Sequence, residues 1–405
     1  MFKISKKQIA IILFAIFSSL SITITRYFVL GDDNLLYYAL IEYGSQFIKP
    51  DSTQVDSNEL YINVAYDKEL VPVLDEFGMP KGVSDITDRG KLLQLLTALK
   101  ETNQYKYILL DVRFEKGFST ENDSALFATI KSTPRLVVSH HLNMEIADSS
   151  IAEKTAISDY TSDIDLGQFT RFELIQDGQT STPLRIFEDI TNKKAETYGN
   201  FLLIDSDLYE LKPFIQFTSL FNSKYNEDGS YKYYEMGVDI LEAMSAEDFG
   251  TLSKDKFVVI GNLIDDKHDT YIGQQPGCYI LMSTTKSLLQ GRPIESPLGV
   301  LTMALIYFLL ICALFGTKPM WQYIPVIKNV KSGALQFVFS FMQYSIILYI
   351  CTTVMYMVCG KVYNTLIPTV YFSALSTIVE NFDTIKENGI YKKFQAFLQK
   401  RSKND

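Results

Sequence analysis

Apolar and polar positions divide the chain into two regimes. Long apolar runs without alternation stand near both ends, and short apolar runs at strand and helix spacing lie between them. The first long run, residues 8–30, follows Lys3, Lys6 and Lys7 and is uncharged from position 9 to 25. Arg26 stands where its side chain can snorkel to an interface. Three more runs follow Pro297, at 298–316, 334–359 and 362–379. About 20 apolar residues cross the hydrocarbon core, so these predict four transmembrane helices. The last contains Asn364 and Pro368 and reads as a kinked span, with a re-entrant helix as the alternative. The first reads as an uncleaved anchor. A cleaved signal peptide has the same shape, but Ser19 and Ser21 are the nearest approach to a small-x-small cleavage site.

Between the apolar ends, residues 31–297 read as alternating strands and helices. ELYINVAYD at 59–67 is a β-rich run ending on Asp67. Asp88 then looks like an N-cap, and Leu92, Leu93, Leu95, Leu96 and Leu99 predict a helix over 89–100. YKYILLDVRF at 105–114 has the continuous apolar centre of a buried strand, 122–131 a helix, and PRLVVS at 134–139 a third strand. This order favours parallel strands with crossover helices. Residues 145–200 read as an insertion and an irregular sheet edge, with possible strands at 169–175 and 184–187. A helix is expected over 214–225. FVVIG at 257–261 is another buried strand, and Pro276 and Gly277 open a helix over 278–289. Only 291–297 separate that helix from the next apolar run. The expected fold class is α/β, a mixed and largely parallel sheet with flanking helices, joined to an all-α membrane part of four helices.

Charge sorts the sides of the membrane. The chain has 38 Lys+Arg against 47 Asp+Glu. Residues 32–297 hold 24 basic and 43 acidic side chains, so the rest is net positive. Basic loops favour the cytoplasm. Lys318, Lys328 and Lys331 mark the loop 317–333, and Lys386, Lys392, Lys393, Lys400, Arg401 and Lys403 mark the tail 380–405. With residues 1–7 also inside, 31–297 lie beyond the bilayer, in the periplasm if the host has two membranes. The acidic block argues against nucleic acid as a partner. Three His and four Cys argue against a Cys/His metal site or a His-dependent triad, and no cofactor is expected. Cys278 is alone in the block, which therefore forms no internal disulfide.

The succession of ELYINVAYD, LLQLLTALK, YILLDVRF, ENDSALFATI, FVVIGNLIDDKHDT and QQPGCYILMSTTKSLLQGRPI resembles a CHASE2 domain, the extracytoplasmic sensory module of bacterial receptors. The resemblance covers most of 31–297. It implies an α/β sensor fold, closing transmembrane helices and a signalling role, but no defined ligand. Many relatives continue into a kinase or cyclase. Here residues after 379 hold no such block, so the expected output comes from another polypeptide.

Candidate sites are few. In α/β sheets ligands gather at the carboxyl ends of strands. Asp67, Asp111, Asp265 and Asp269 are therefore expected to face one ligand-binding crevice. Asp265 to Asp269 also read as a solvated acidic loop, since no fixed cation-loop spacing is present. His140 and His141 are adjacent and point to opposite faces on a strand. In the tail, Ile390, Phe394 and Phe397 share a helical face with Leu398, while Lys392 and Lys393 lie elsewhere. Three readings remain open for it: resting on an anionic leaflet, docking in a partner's groove, or a loose topogenic tail. The expected partners are the lipid bilayer and a membrane or envelope protein supplying output, with a homo- or hetero-oligomer possible. A sensor or regulatory subunit is the leading function, a scaffold of an envelope complex the second, a transporter the third and an enzyme the last.

Overall fold

The strand segments YILLD and FVVIG leave no polar position for water, so both must sit inside a sheet covered on two faces. The computed structural model builds that sheet. It describes residues 6–25, then 56–290 apart from 75, 76, 78, 160–170, 199, 200, 206, 214, 216, 218, 227 and 271, then 297–316, 320–323, 332–359 and 366–381. The expected amphipathic face at Ile390, Phe394 and Phe397 lies outside these residues. The chain divides into two compact units, Ile41–Ile294 and Met1–Leu40 together with Glu295–Asp405.

After α1 (Lys6–Thr25), the first of these units runs β1 (Glu59–Asn63), a hairpin of β2 (Lys68–Leu74) and β3 (Pro80–Thr87), α2 (Arg89–Thr102) and β4 (Tyr107–Asp111). It continues through α3 (Asp123–Ser132), β5 (Leu136–His140), β6 (Thr155–Ile157), the short hairpin β7 (Ile175–Gln176) and β8 (Gln179–Thr180), and α4 (Thr182–Thr191). An antiparallel trio follows: β9 (Ala195–Tyr198), β10 (Phe201–Ile204) and β11 (Asp207–Glu210). The unit closes with β12 (Tyr233–Glu235), a π-helical turn Met236–Leu241, α5 (Ala246–Ser253), β13 (Phe257–Gly261), the hairpin β14 (Lys267–Thr270) and β15 (Gly273–Pro276), and α6 (Gly277–Leu289).

The main sheet has the order β12-β1-β13-β4-β5-β6 and every neighbouring pair is parallel. Strand alternation assigns its residues to two cores. Tyr61, Tyr107, Leu109, Val137 and Val259 pack with α4 and α6 on one face. Leu60, Ile62, Ile108, Leu110 and Val258 pack with α2, α3 and α5 on the other. α2 starts as its sequence indicates: the Asp88 side chain accepts from the Lys91 amide at 2.9 Å. Its end is set by Asn103, which adopts a left-handed conformation at φ 48°.

Two expected elements differ. Residues 184–187, expected as a strand, belong to α4. Pro183 in its first turn presets the helical φ, and Leu184, Ile186 and Phe187 turn inward. No helix occurs among the described residues of 214–225. Ile215, Phe217, Ser219 and Phe221 are buried at every second position, an extended period that the sheet face accepts.

The other unit holds α1, α7 (Pro297–Gly316), α8 (Gly333–Cys359) and α9 (Leu366–Glu380). They pack around Ala15, Tyr307, Ile311, Tyr344, Leu348 and Phe372. Four spans were expected. Among the described residues one stretch, Gly333–Cys351 with mean hydropathy 1.6, is long and apolar enough to cross a membrane by length and composition. The others are shorter apolar stretches, Ile11–Ile22, Leu301–Phe315 and Pro368–Val379.

The start of β1 and the end of α6 are tied together. Lys286 Nζ lies 2.9 Å from Glu59 Oε1 and 3.1 Å from Asp56 Oδ2. Tyr61 Oη donates to Glu59 Oε2 at 3.1 Å. The Glu59 side chain is only 1% exposed. Removing one member of a buried pair strands the other charge at a cost of about 3–5 kcal/mol. Lys286→Ala is therefore expected to lower the melting temperature sharply, and the double change Glu59→Gln with Lys286→Met to recover most of the loss. Thermal melts followed by circular dichroism check this; a Lys286→Ala protein that melts with the parent contradicts it.

Candidate functional site

The carboxyl edge of the sheet is organised by a buried side chain that its sequence context hides. Asn63, at the end of β1, is fully buried. Its Oδ1 accepts from the amides of Ala65 at 3.2 Å and Leu263 at 2.9 Å, and its Nδ2 donates to Glu235 Oε2 at 2.8 Å. One amide side chain thus pins the ends of β1, β12 and β13.

Beside it opens a cavity of about 420 Å³ at the ends of β4, β5 and β13. Its polar lining includes Arg89, Asp111, Ser139, His140, His141 and Asp266. Its apolar walls come from Val64, Ile86, Val112, Phe114, Val138 and Ile151. The base of the β2–β3 hairpin forms one side through Lys68 and the stretch Ser84, Asp85, Ile86 and Thr87. A volume of this order suits a small organic molecule.

Of the four expected carboxylates, only Asp111 lines this cavity. Asp67 is buried and committed elsewhere: Oδ1 lies 2.6 Å from Lys91 Nζ, and Oδ2 accepts from the Gly237 amide at 2.9 Å. It caps the π-helical turn, and a Cβ on Gly237 would stand 2.4 Å from its Oδ1. Asp265 is exposed and closes a local turn, with its amide donating to Asn262 Oδ1 at 2.9 Å. Asp269 is exposed on β14. The single crevice expected for the four is replaced by a cavity with Asp111 and the neighbour Asp266. Strand ends share an edge, but the turn after each strand decides which way its carboxylate faces.

Asp111 ends β4 directly opposite Gly261. A Cβ on Gly261 would meet Cys278 Sγ at 3.0 Å and Asp111 Cβ at 3.4 Å, so the bare backbone lets α6 start against the acid. His268 Nε2 lies 3.1 Å from Asp266 Oδ1. Burial, with repulsion from Asp266, pushes the Asp111 carboxyl up to about 7, against a hydrogen bond from Ser139 and the attraction of His268. His140 is held below the usual imidazole range by burial, opposed by Asp159 and assisted by His141. His141 Nδ1 lies 3.1 Å from Asp159 Oδ1.

Arg89, which opens α2, was missed as a site residue in the sequence, where it reads as an ordinary helix-start cation. It is 1% exposed. Its Nη2 donates to the Arg113 carbonyl at 2.9 Å, and its guanidinium carbon stands 4.2 Å above the Phe114 ring. Among the described residues, no group of three or more His, Cys, Asp or Glu is placed to hold a metal ion.

Asp111 sets a pH dependence. Its folded pKa near 7 lies above the ordinary 3.8, so the folded state keeps the proton longer. The stability it contributes is full below about pH 4 and is lost as pH rises through 7. Asp111→Asn is therefore expected to gain on the parent between pH 5 and 8, by an amount on the order of 3 kcal/mol. Paired thermal melts across that range check it; a variant-to-parent difference that stays constant with pH contradicts it.

No curated protein and no solved structure matches the chain. Residues 75–316 match the CHASE2 domain family. That span takes in α2, β4, β5, β13, α6 and α7, and with them most of the cavity. CHASE2 domains are extracytoplasmic sensors, which implies a membrane location. With well over half its length inside that match, the chain belongs to the CHASE2 domain family.

Proposed function

We propose that the chain is a multi-pass receptor subunit of a bacterial cell membrane, with spans at 8–30, 298–316, 334–359 and 362–379 and its α/β domain beyond the bilayer. The domain receives a small-molecule signal and a separate protein reads it out. The reading is of a binding protein, not an enzyme.

The observation that carries the membrane part is an inversion of polarity in the apolar helices. Leu301, Leu305 and Leu309 on α7 face outward at one-turn intervals, as do Met342, Ile346 and Ile350 on α8. Ser340, Thr369 and Ser373 are buried among the helices instead. Asn381 Nδ2 donates to Gln336 Oε1 at 2.6 Å, another polar contact between α8 and the end of α9. Water penalises that arrangement and lipid rewards it. The three shorter apolar stretches share this outward apolar character, which supports four spans in place of one.

The route of the signal follows α6. It starts at the cavity-bearing edge, where the Gly277 amide donates to the Asp266 carbonyl at 2.9 Å. It runs about 14 Å, at 1.5 Å per residue, to the Lys286 clamp. Residues 290–296 then lead into α7. A ligand that favours one seating of the Asp266 turn biases the helix that exits toward the membrane.

A second reading, a docking module in an envelope complex, is favoured by the β2–β3 hairpin. Leu70 is 72% exposed and Val83 70%, and the register Pro72↔Val83 puts both on one face.

Tyr160→Cys, labelled in whole cells with a membrane-impermeant maleimide, tests sidedness. Labelling of intact cells is expected; labelling only after the inner membrane is broken overturns the receptor reading. Purification of the full chain in maltoside detergent is further expected to bring down a membrane protein that Leu70→Glu leaves bound. Its loss in that variant moves the weight to the docking reading.

A further inference from the structure

Eight buried side-chain nitrogen or oxygen atoms have no hydrogen-bond partner among the described residues, and three of them belong to two residues of one cavity. They are Arg89 Nε, Arg89 Nη1 and His140 Nδ1. Buried polar groups in proteins are nearly always satisfied, so a concentration of unmet ones calls for a missing partner. The nearest carboxylate to the guanidinium is Asp123, whose Oδ1 lies 3.8 Å from Arg89 Nε, beyond hydrogen-bond length. The side chain is nevertheless held in place, by the Arg113 carbonyl on one side and the Phe114 ring on the other. The Arg89 amide is also occupied, donating to Glu69 Oε1 at 2.8 Å. Asp123 faces the guanidinium as an ion-pair partner, but Nε and Nη1 lack a hydrogen-bond acceptor.

The rest of the lining narrows the acceptor. Asp85, Asp111, Glu115, Glu145 and Asp266 also line the cavity, against the cations Lys68, Arg89 and Arg113. Arg113 is already paired with Glu115. A dianion such as phosphate meets net repulsion there, whereas a single planar carboxylate matches the guanidinium and adds one charge. The apolar side of the cavity, from Val64, Ile86, Val112, Val138 and Ile151, is suited to a short hydrocarbon body.

We propose that this cavity binds a small monocarboxylate with a compact apolar body, its carboxylate received by the Arg89 guanidinium and by the Nδ1–H of neutral His140. The inference rests on the receptor reading and adds the class of ligand. Binding would hold β2–β3 against β4 and β5, because Lys68, Ser84, Asp85, Ile86 and Thr87 form the facing wall.

The test uses the full chain in maltoside micelles near neutral pH. The probes are 4-methylpentanoate, its neutral amide and orthophosphate, each up to 50 mM, with thermal melting as the readout. The carboxylate is expected to raise the melting temperature by several degrees, and the amide and orthophosphate to leave it within error. Arg89→Lys keeps the charge but loses the planar fork, and is expected to weaken the carboxylate's apparent affinity at least about tenfold. His140→Leu is expected to act in the same direction and serves if Arg89→Lys does not fold. The proposal is overturned by an amide that stabilises as well as the acid, by stabilisation from orthophosphate but not the carboxylate, by undiminished affinity in a folded variant, or by no shift with 4-methylpentanoate. None of these outcomes touches the sidedness and co-purification results, so failure of the ligand class and failure of the receptor reading are told apart.

Discussion

The domain depends on one constraint of topology: its last sheet strand, β13, lies between its first two helix-linked strands, β1 and β4. A parallel strand in that position must be apolar on both sides, and Phe257, Val258, Val259 and Ile260 are all buried. The insertion puts the turn after β13 at the middle of the carboxyl edge. There Gly261 faces Asp111, and Asn63 reaches the Leu263 amide. It also sends α6 back along the sheet to the amino edge, where Lys286 meets Glu59 and Asp56. Site and exit are thus opposite ends of one helix. The same strand that completes the core sets both.

The electrostatics of the two edges differ in kind. At the amino edge, Glu59 is ion-paired with Lys286 and accepts from the Tyr61 hydroxyl, charge meeting charge inside the fold. At the carboxyl edge, Asp111 holds a proton close to neutrality and Arg89 keeps two nitrogens without acceptors. Unsatisfied groups in low-dielectric surroundings are costly, and a fold keeps them where a ligand completes them.

Much of this architecture is legible in the sequence because the signals are local. The leucines of α2, the Asp88 cap and the unbroken apolar centres of β4 and β13 each specify their element without help from afar. The failures are tertiary. Leu184, Ile186 and Phe187 fit a strand or a helix in so short a run, and Pro183 in the first turn decides for the helix. Asp67 reads as a strand-end ligand, yet Lys91 and the Gly237 amide, remote in sequence, claim both of its oxygens. Arg89 carries no sequence mark, and His140 is marked only as one of an adjacent histidine pair. Their burial arises only when the hairpin β2–β3, the segment after β4 and the end of β5 close around them.

Native-state hydrogen exchange of the full chain measures the central constraint directly. With β13 at the middle of the sheet, the amides of Val258, Val259 and Ile260 exchange only through global unfolding, at least about a hundredfold more slowly than those of the edge strand β6. Exchange of β13 at the pace of β6 would mean that the strand lies at a margin, and the placement of the site and of α6 would fall with it.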